Sequence, residues 1–174
     1  MAIPRAAAVV VQSGKVLVIR RYLRLPRADD CVMCIAGGAR RPDCEGHRYA
    51  VLPGGHVEPG ETAKEAAIRE LHEETTLTAS IERLLWIGEH NGRPAYYFQM
   101  TDVEGTAELS GAEAEAHSPE NSFELLWAAP QDLEGLGMYP LDTQTHLATT
   151  LVQRSLSTMR PRSDDHAVLD SLTD

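Results

Sequence analysis

The chain has 174 residues, of which 43% are hydrophobic and 24% charged, a composition typical of one soluble globular domain. No apolar run approaches the roughly 20 residues of a membrane span, and the N-terminus lacks a secretory pattern, so we expect a cytoplasmic protein without membrane contact. The net charge of −10 argues against binding to duplex nucleic acid, which needs many cations to neutralise phosphates.

The first half of the chain shows signals for a hairpin, a loop, a strand and a helix. The run "AAAVVVQSGKVLVIRR" predicts two strands around the turn Ser13-Gly14. Residues 22–48 have weak periodicity and are predicted to be a long loop or insertion. The strand in "YAVLPGGHV" ends at a turn cluster that contains Gly54 and Gly55. A helix then begins at Thr62, because Thr62 and Glu65 have the spacing of a capping box.

The second half continues the alternation of strands and helices. Asn91-Gly92 predicts a second hairpin, residues 104–120 an acidic loop, "SFELLWAA" a strand, and the segment after Pro140 a C-terminal helix with Leu147, Leu151 and Val152 among its apolar positions. We expect one domain over residues 1–159 and a poorly ordered tail over 160–174. Hairpins mixed with helices predict an α+β fold, with helices packed on an antiparallel or mixed sheet.

Three glutamates lie close together on the helix that follows Thr62, in the stretch "RELHEETTL". At about 100° per residue, Glu70, Glu73 and Glu74 share one side of this helix. On another side lie Ala67, Ile68 and Leu71, which we expect to pack on the sheet. Converging carboxylates suit Mg²⁺ or Mn²⁺, which leave positions for water and phosphate. The alternative is a solvated acidic stripe.

The segment from Gly55 to Leu77 resembles the Nudix box, a 23-residue signature. The matching positions are Gly55, Glu61, Arg69, Glu70, Leu71, Glu73, Glu74 and Leu77. The family has Gly where this chain has Thr76. That Gly would end the helix in a left-handed conformation, which is costly for a β-branched residue. Either the helix ends differently here or Thr76 is strained, and we expect a modest change at the terminus with the glutamates in place.

The resemblance implies an α/β/α sandwich with a strand-loop-helix motif, and hydrolysis of nucleoside diphosphates linked to another group. It implies that Glu70, Glu73 and Glu74, and the Gly55 carbonyl, bind Mg²⁺ or Mn²⁺. Glu61 and Arg69 would orient the loop and helix. The catalytic carboxylate would be Glu73 or Glu74, or a member of the acidic loop, for which the candidates are Glu113, Glu115 and Glu120. The resemblance also gives a homodimer as an expectation, because many members of the family form one.

Two alternatives to hydrolysis stay open. A nucleotide-binding sensor or regulatory domain would use the same fold with little turnover, although a pure binder has no need of all three box glutamates. A diphosphate isomerase would also use this fold, and no residue set in the sequence speaks for it. In each case the ligand is a small phosphorylated molecule.

Residues 1–48 carry nine Lys and Arg against four Asp and Glu, which marks them as a candidate phosphate-facing region. Arg20 and Arg21 end the strand "VLVIRR", and we expect one of them to contact substrate phosphate, unless this is a solvated strand end. Four aromatic residues are candidates for stacking on a base, with packing in the protein as the alternative: Tyr22, Tyr49, Trp127 and Tyr139.

All three cysteines lie within one 14-residue window. Cys31 and Cys34 have the spacing of a zinc knuckle, and Cys44 is followed three residues later by His47. The sequence therefore offers four ligands for a structural Zn²⁺ that would stiffen a loop beside the substrate. The alternative is three reduced cysteines acting as small hydrophobic residues, beside a surface histidine.

Overall fold

A computed structural model describes residues 2–38 and 41–158, with side chains through Leu151. Within these residues the strands are β1 (Arg5–Val9), β2 (Val11–Gln12), β3 (Lys15–Leu23), β4 (His47–Val51), β5 (Gly54–His56), β6 (Thr78–His90), β7 (Arg93–Glu104) and β8 (Asn121–Ala128). The α-helices are α1 (Val32–Ala36), α2 (Ala63–Thr75), α3 (Gly111–Glu115), α4 (Leu133–Leu136) and α5 (Leu141–Thr158). The predicted tail 160–174 and the side chain of Val152 lie outside what is described.

The described strands form two sheets. One has the order β5-β1-β7-β6, and in the other β3 pairs with β2, β4 and β8. The pairing of β1 with β7 is parallel, and the other ladders are antiparallel, so the predicted mixed topology is confirmed. Both predicted turns are present, with positive φ at Ser13-Gly14 and Asn91-Gly92, as tight hairpin turns require. Across the first turn only the two residues of β2 pair with β3, because β1, the rest of the predicted first strand, pairs with β5 and β7 in the other sheet.

Strand β1 separates two apolar cores because successive side chains of a strand point to opposite faces. Ala6 and Ala8 pack in the cluster that holds Leu71 of α2. Ala7 and Val9 pack in the cluster that includes α5 residues Leu147 and Leu151. The sheet layer therefore lies between α2 and α5, which confirms an α+β fold of the α/β/α sandwich type.

Helix α2 begins as the capping box predicts. The Glu65 amide donates to Thr62 Oγ1 at 3.3 Å, and the Thr62 amide donates to Glu65 Oε2 at 2.8 Å. The predicted apolar face is wrong at Ile68, which is 37% exposed, whereas Ala66 is fully buried. The reason is that the buried arc of the helix is rotated toward β5 and includes Glu74.

Of the two alternatives for the end of α2, a different helix end or a strained Thr76, the structure shows the strained Thr76. Thr76 adopts a left-handed conformation with φ of 61°, and its amide donates to His72 O at 2.9 Å. The expected change at the helix terminus is therefore wrong. The Thr76 hydroxyl lies 2.8 Å from Thr106 O, and this hydrogen bond offsets part of a conformational cost of about 1–2 kcal/mol.

Two segments predicted as loops contain short helices. Between β3 and β4 lie a 3₁₀ turn at Ala28–Asp30 and helix α1. The acidic segment after β7 contains α3 and crosses the end of α2, where the Ser110 amide donates to Glu74 O at 3.1 Å. Among the described residues, no helix combines the length and the apolar character needed to cross a bilayer.

Candidate active site

A cavity of about 340 Å³ opens where α2, β5 and the ends of β3 and β4 meet. Its charged and aromatic lining includes Arg5, Arg21, Tyr49, Glu58, Glu70, Glu74, Glu113, Phe123 and Tyr139. The acidic groups come from α2, from α3 and from the loop that precedes α2, while the two arginines come from β1 and β3. The cavity thus offers both cation ligands and anion donors, as a site for a metal and a phosphorylated molecule requires.

Glu74 is the most buried carboxylate of this cavity, with only 7% of its surface exposed. Its Oε2 accepts a 2.7 Å hydrogen bond from the Gly54 amide, which joins α2 to β5. Burial raises the pKa of Glu74 to about 8, and the negative charge of Glu113 adds to the shift. Because burial disfavours its charged form, a cation bound beside Glu74 would stabilise the ionised carboxylate.

Glu70 lies against the backbone of Gly55. A Cβ on Gly55 would overlap the Glu70 carboxylate, so only glycine permits this approach. Burial raises the pKa of Glu70, while the Arg69 guanidinium, which donates to its Oε1 at 2.9 Å, opposes the shift. Two box glutamates and the predicted glycine are therefore brought together at one edge of the cavity.

Gly55→Ala tests this close approach. We expect a 10- to 100-fold lower kcat/KM, because displacing a positioned group by about 1 Å can cost that much. The φ of Gly55 is outside the left-handed region, so alanine adds only its methyl group. Steady-state kinetics should be compared with Gly135→Ala, where an added Cβ would meet no atom within 4 Å. Equal kinetics for the two variants would contradict the role of the approach.

Arg69 connects the loop and helix of the motif. Its Nε donates to Glu61 Oε1 at 2.9 Å and its Nη2 to His56 O at 3.0 Å. Its Nη1 donates to Glu70 and to Glu73, each at 2.9 Å. Glu73 has a side chain that is 52% exposed and lies outside the cavity lining, so its carboxylate is held by Arg69 rather than beside Glu74.

The two candidate phosphate-binding arginines lie on opposite faces of β3. Arg21 lines the cavity, with its guanidinium 4.5 Å from the centre of the Phe123 ring, and its Nε is buried without a hydrogen-bond partner among the described residues. Arg20 points away and pairs with Glu124 on β8. A guanidinium that lines a cavity offers positive charge and N–H donors to an anionic ligand.

The other candidate site residues also divide into those that line the cavity and those that lie elsewhere. Of the acidic-loop carboxylates, Glu113 lines the cavity and Glu115 and Glu120 do not. Tyr49 and Tyr139 also line it. The other two aromatic candidates pack elsewhere, with Tyr22 beneath the Arg48 guanidinium and Trp127 against the core under α2.

Sequence reasoning missed Arg5, His90 and Asn91, which also line the cavity. Arg5 begins β1, and His90 ends β6, so only the pairing of the strands brings them together. No local pattern in the sequence marks them. Burial lowers the pKa of His90 to about 4, and the positive charges of Arg5 and Arg93 contribute, so this ring is neutral at pH 7.

His90 predicts an acid-sensitive contribution to stability. Because its folded-state pKa is lowered from 6.5, the contribution is present above pH 6.5 and is lost as the pH falls toward 4. Solvent screening of the partly exposed ring reduces the effect to about 1–2 kcal/mol. His90→Gln should lose correspondingly less free energy of unfolding between pH 7 and 4 in denaturant titrations. The control is the exposed His72→Gln, and identical pH profiles for all three proteins would contradict the prediction.

The donors present fit a hard divalent cation. Glu70 supplies carboxylate oxygens beside the backbone of Gly55, and Glu74 beside that of Gly54. A divalent cation there would favour the ionised form of the buried Glu74 carboxyl, whose pKa burial raises. Oxygen donors of this kind suit Mg²⁺ or Mn²⁺.

Comparisons with known proteins agree with this motif. The NUDIX domain family model matches residues 2–150. An RNA pyrophosphohydrolase of Erythrobacter litoralis (strain HTCC2594) is 30% identical over 137 residues, which cover 68% of this chain and 81% of that protein.

Two solved structures share the fold. The solution structure of the E. coli ORF135 protein has a TM-score of 0.58 at 23% identity, and the match covers 94% of both chains. An ADP-ribose pyrophosphatase from Streptococcus suis 89-1591 has a TM-score of 0.57 at 14% identity, covering 95% of this chain and 96% of that one. With a family match over residues 2–150, and with Gly55, Glu70 and Glu74 of the box at one cavity, the chain belongs to the NUDIX domain family.

Proposed function

We propose that this Nudix-type pyrophosphohydrolase uses Mg²⁺ or Mn²⁺ to hydrolyse the diphosphate bond of a nucleoside diphosphate-linked substrate. The observation that carries the proposal is that one cavity is lined by Glu70, Glu74 and the guanidinium-bearing Arg21. Glu70, Glu74 and the Gly55 carbonyl would hold the metal, with Glu73 retained as a ligand from the family pattern. Bound there, the metal would act as a Lewis acid on the phosphate oxygens.

The chain's own residues then bind and orient the substrate. Arg21 and Arg5 supply positive charge for the diphosphate, and Tyr49 and Tyr139 supply ring faces for the attached group. Water attacks phosphorus, the bridging P–O bond breaks, and the leaving phosphate takes the bond electrons. A carboxylate oxygen accepts the proton of the water.

The choice of that carboxylate follows from position. We propose Glu74 first, because it lines the cavity and the Gly54 amide fixes its orientation. Glu113 is an additional candidate since it lines the same cavity. Glu73 would need to leave Arg69 to reach the substrate, so in this arrangement its first contribution is to orient Arg69.

A substrate screen with Mg²⁺ and with Mn²⁺ tests the proposal. It should include nucleoside triphosphates, ADP-ribose and other dinucleotide-like compounds, sugar nucleotides and 5′-triphosphorylated RNA, with phosphate and diphosphate release as readouts. We expect metal-dependent turnover of at least one of these. Tight nucleotide binding without turnover would favour a sensor domain, and rearranged product without phosphate release would favour an isomerase.

A further inference from the structure

The three cysteines and His47 converge at a second place, away from the box glutamates. The Sγ atoms of Cys31, Cys34 and Cys44 and a ring nitrogen of His47 all lie within 4.8 Å of one another. Cys34 Sγ is 3.0 Å from His47 Nε2. The three thiols are buried and unbridged, and His47 is partly buried.

Two separate segments build this cluster. Cys31 immediately precedes α1, and Cys34 lies on its first turn, so both sulfurs are on one side of the helix. Cys44 lies on the following loop, and His47 begins β4 opposite Leu23 of β3. Backbone amides of Leu25 and Gly46 donate to the Cys44 sulfur. Hydrogen bonds of this kind orient and stabilise thiolate ligands.

We propose that Cys31, Cys34, Cys44 and His47 bind a structural Zn²⁺. A tetrahedral zinc with Zn–S bonds of about 2.3 Å has sulfur–sulfur edges of about 3.8 Å, so donor atoms within 4.8 Å need move little. Three thiolates and one imidazole are a common set of zinc ligands. All four positions come from the protein, which is the closed coordination of a structural rather than a catalytic site.

The alternative, in which the cysteines only pack as small apolar residues, explains some features of the cluster but not all of them. Leu23, Leu25 and Met33 pack around the thiols and account for their burial. They do not account for a partly buried imidazole whose nitrogen faces a sulfur, nor for backbone amides aimed at Cys44. Soft sulfur ligands with one nitrogen select Zn²⁺ over the Mg²⁺ or Mn²⁺ that suits the glutamates.

The zinc would connect this cluster to the cavity wall. Helix α1 has five residues, too few to be stable without tertiary contacts. Its Val32 and Met33 line the cavity that holds Glu70 and Glu74. Zinc would anchor α1 to the start of β4, so the metal that stabilises the loop also positions one wall of the substrate site. This consequence rests on the proposed function, but zinc binding itself does not.

Metal content of the purified full-length protein tests the proposal. After expression with added zinc under reducing conditions, we expect about one zinc per chain by elemental analysis. Cys44→Ser and His47→Ala should lose most of it, whereas His72→Ala should keep it. Glu70→Gln should also keep it, which separates this site from binding at the carboxylates. Zinc below about a tenth of an equivalent, or full zinc in Cys44→Ser, would overturn the proposal.

Measurements on the wild-type protein test the same proposal without variants, which is needed if the substituted proteins fail to fold. Titrating its thiols with an organic mercurial should release zinc in step with thiol modification, as a metal-binding dye would report. Replacement by Co²⁺ should give the intense thiolate-to-metal absorption of a tetrahedral sulfur site. Zinc release without thiol modification, or cobalt without that absorption, would overturn the proposal. Because neither readout uses turnover, an inactive protein with zinc would refute only the hydrolase.

Discussion

Glu74→Gln is expected to lower kcat/KM with Mg²⁺ by about 10³-fold or more. Loss of a charged ligand and proton acceptor removes several kcal/mol of transition-state stabilisation, and each 1.36 kcal/mol is a factor of ten in rate. The amide is nearly isosteric with the carboxylate, so its oxygen can still accept the hydrogen bond from Gly54. Kinetics on the best substrate of the screen measure the effect.

The same variant should be no less stable than wild type without metal. Burial raises the pKa of Glu74 to about 8, so without metal this carboxyl is largely protonated at pH 7, and glutamine replaces it with a neutral group of the same shape. Thermal unfolding in a chelator therefore separates a damaged site from a damaged fold. Glu104→Gln, an exposed glutamate outside the cavity, is the matched control. If Glu74→Gln were nearly as active as Glu104→Gln, the proposed role of Glu74 as metal ligand and proton acceptor would be wrong.

Arg21→Ala is expected to raise KM by about 10- to 100-fold, with a smaller change in kcat. A charge-assisted hydrogen bond contributes about 1.5–3 kcal/mol to binding, and Arg21 lines the cavity. Arg21→Lys should restore only part of the loss, because a lysine keeps the charge without the planar fork. Initial rates over a range of substrate concentrations measure both constants.

Arg20→Ala is the control that the strand itself provides. Arg20 is adjacent in sequence but lies on the other face of β3, where it pairs with Glu124. Its removal should leave KM within about twofold, since an exposed ion pair contributes little. A similar rise in KM for both variants would mean that the effect is general electrostatics, and no rise for Arg21→Ala would exclude it from the phosphate site.

If both expectations hold, the acidic and the basic residues of the cavity have different functions. Glu74 affects the chemical step and the metal, whereas Arg21 affects substrate binding. In the double variant, the losses of transition-state free energy from the two single variants should then nearly add, because the effects of residues that do not interact with each other are additive. Strong coupling would instead indicate that Arg21 acts through the carboxylates.

Local features of this chain were predictable because their cause lies within a few residues. The capping box at Thr62 and Glu65 sets the start of α2, and the two hairpin turns need only a pair of residues with positive φ. The box spacing placed Glu70, Glu73 and Glu74 on one side of a helix. The cysteine spacing likewise indicates a candidate metal site without any information on the fold.

Features that depend on packing between distant segments were not predictable. Whether Ile68 or Ala66 is buried depends on how α2 is rotated against the sheet, and that rotation also buries Glu74. Helical periodicity sets the angles between side chains but not the direction of the core. The strained Thr76 is similar, because its left-handed conformation is supported by Thr106, thirty residues later.

The sequence by itself determined the helix, its capped start, the hairpins and the family, since each is encoded in short-range spacing. Only the tertiary structure decided that Arg21 rather than Arg20 faces the cavity, that Arg5 and His90 join it, and that Glu73 turns to Arg69. Strand pairing and sheet packing join residues far apart in the chain, and no local pattern records which face or which partner they select.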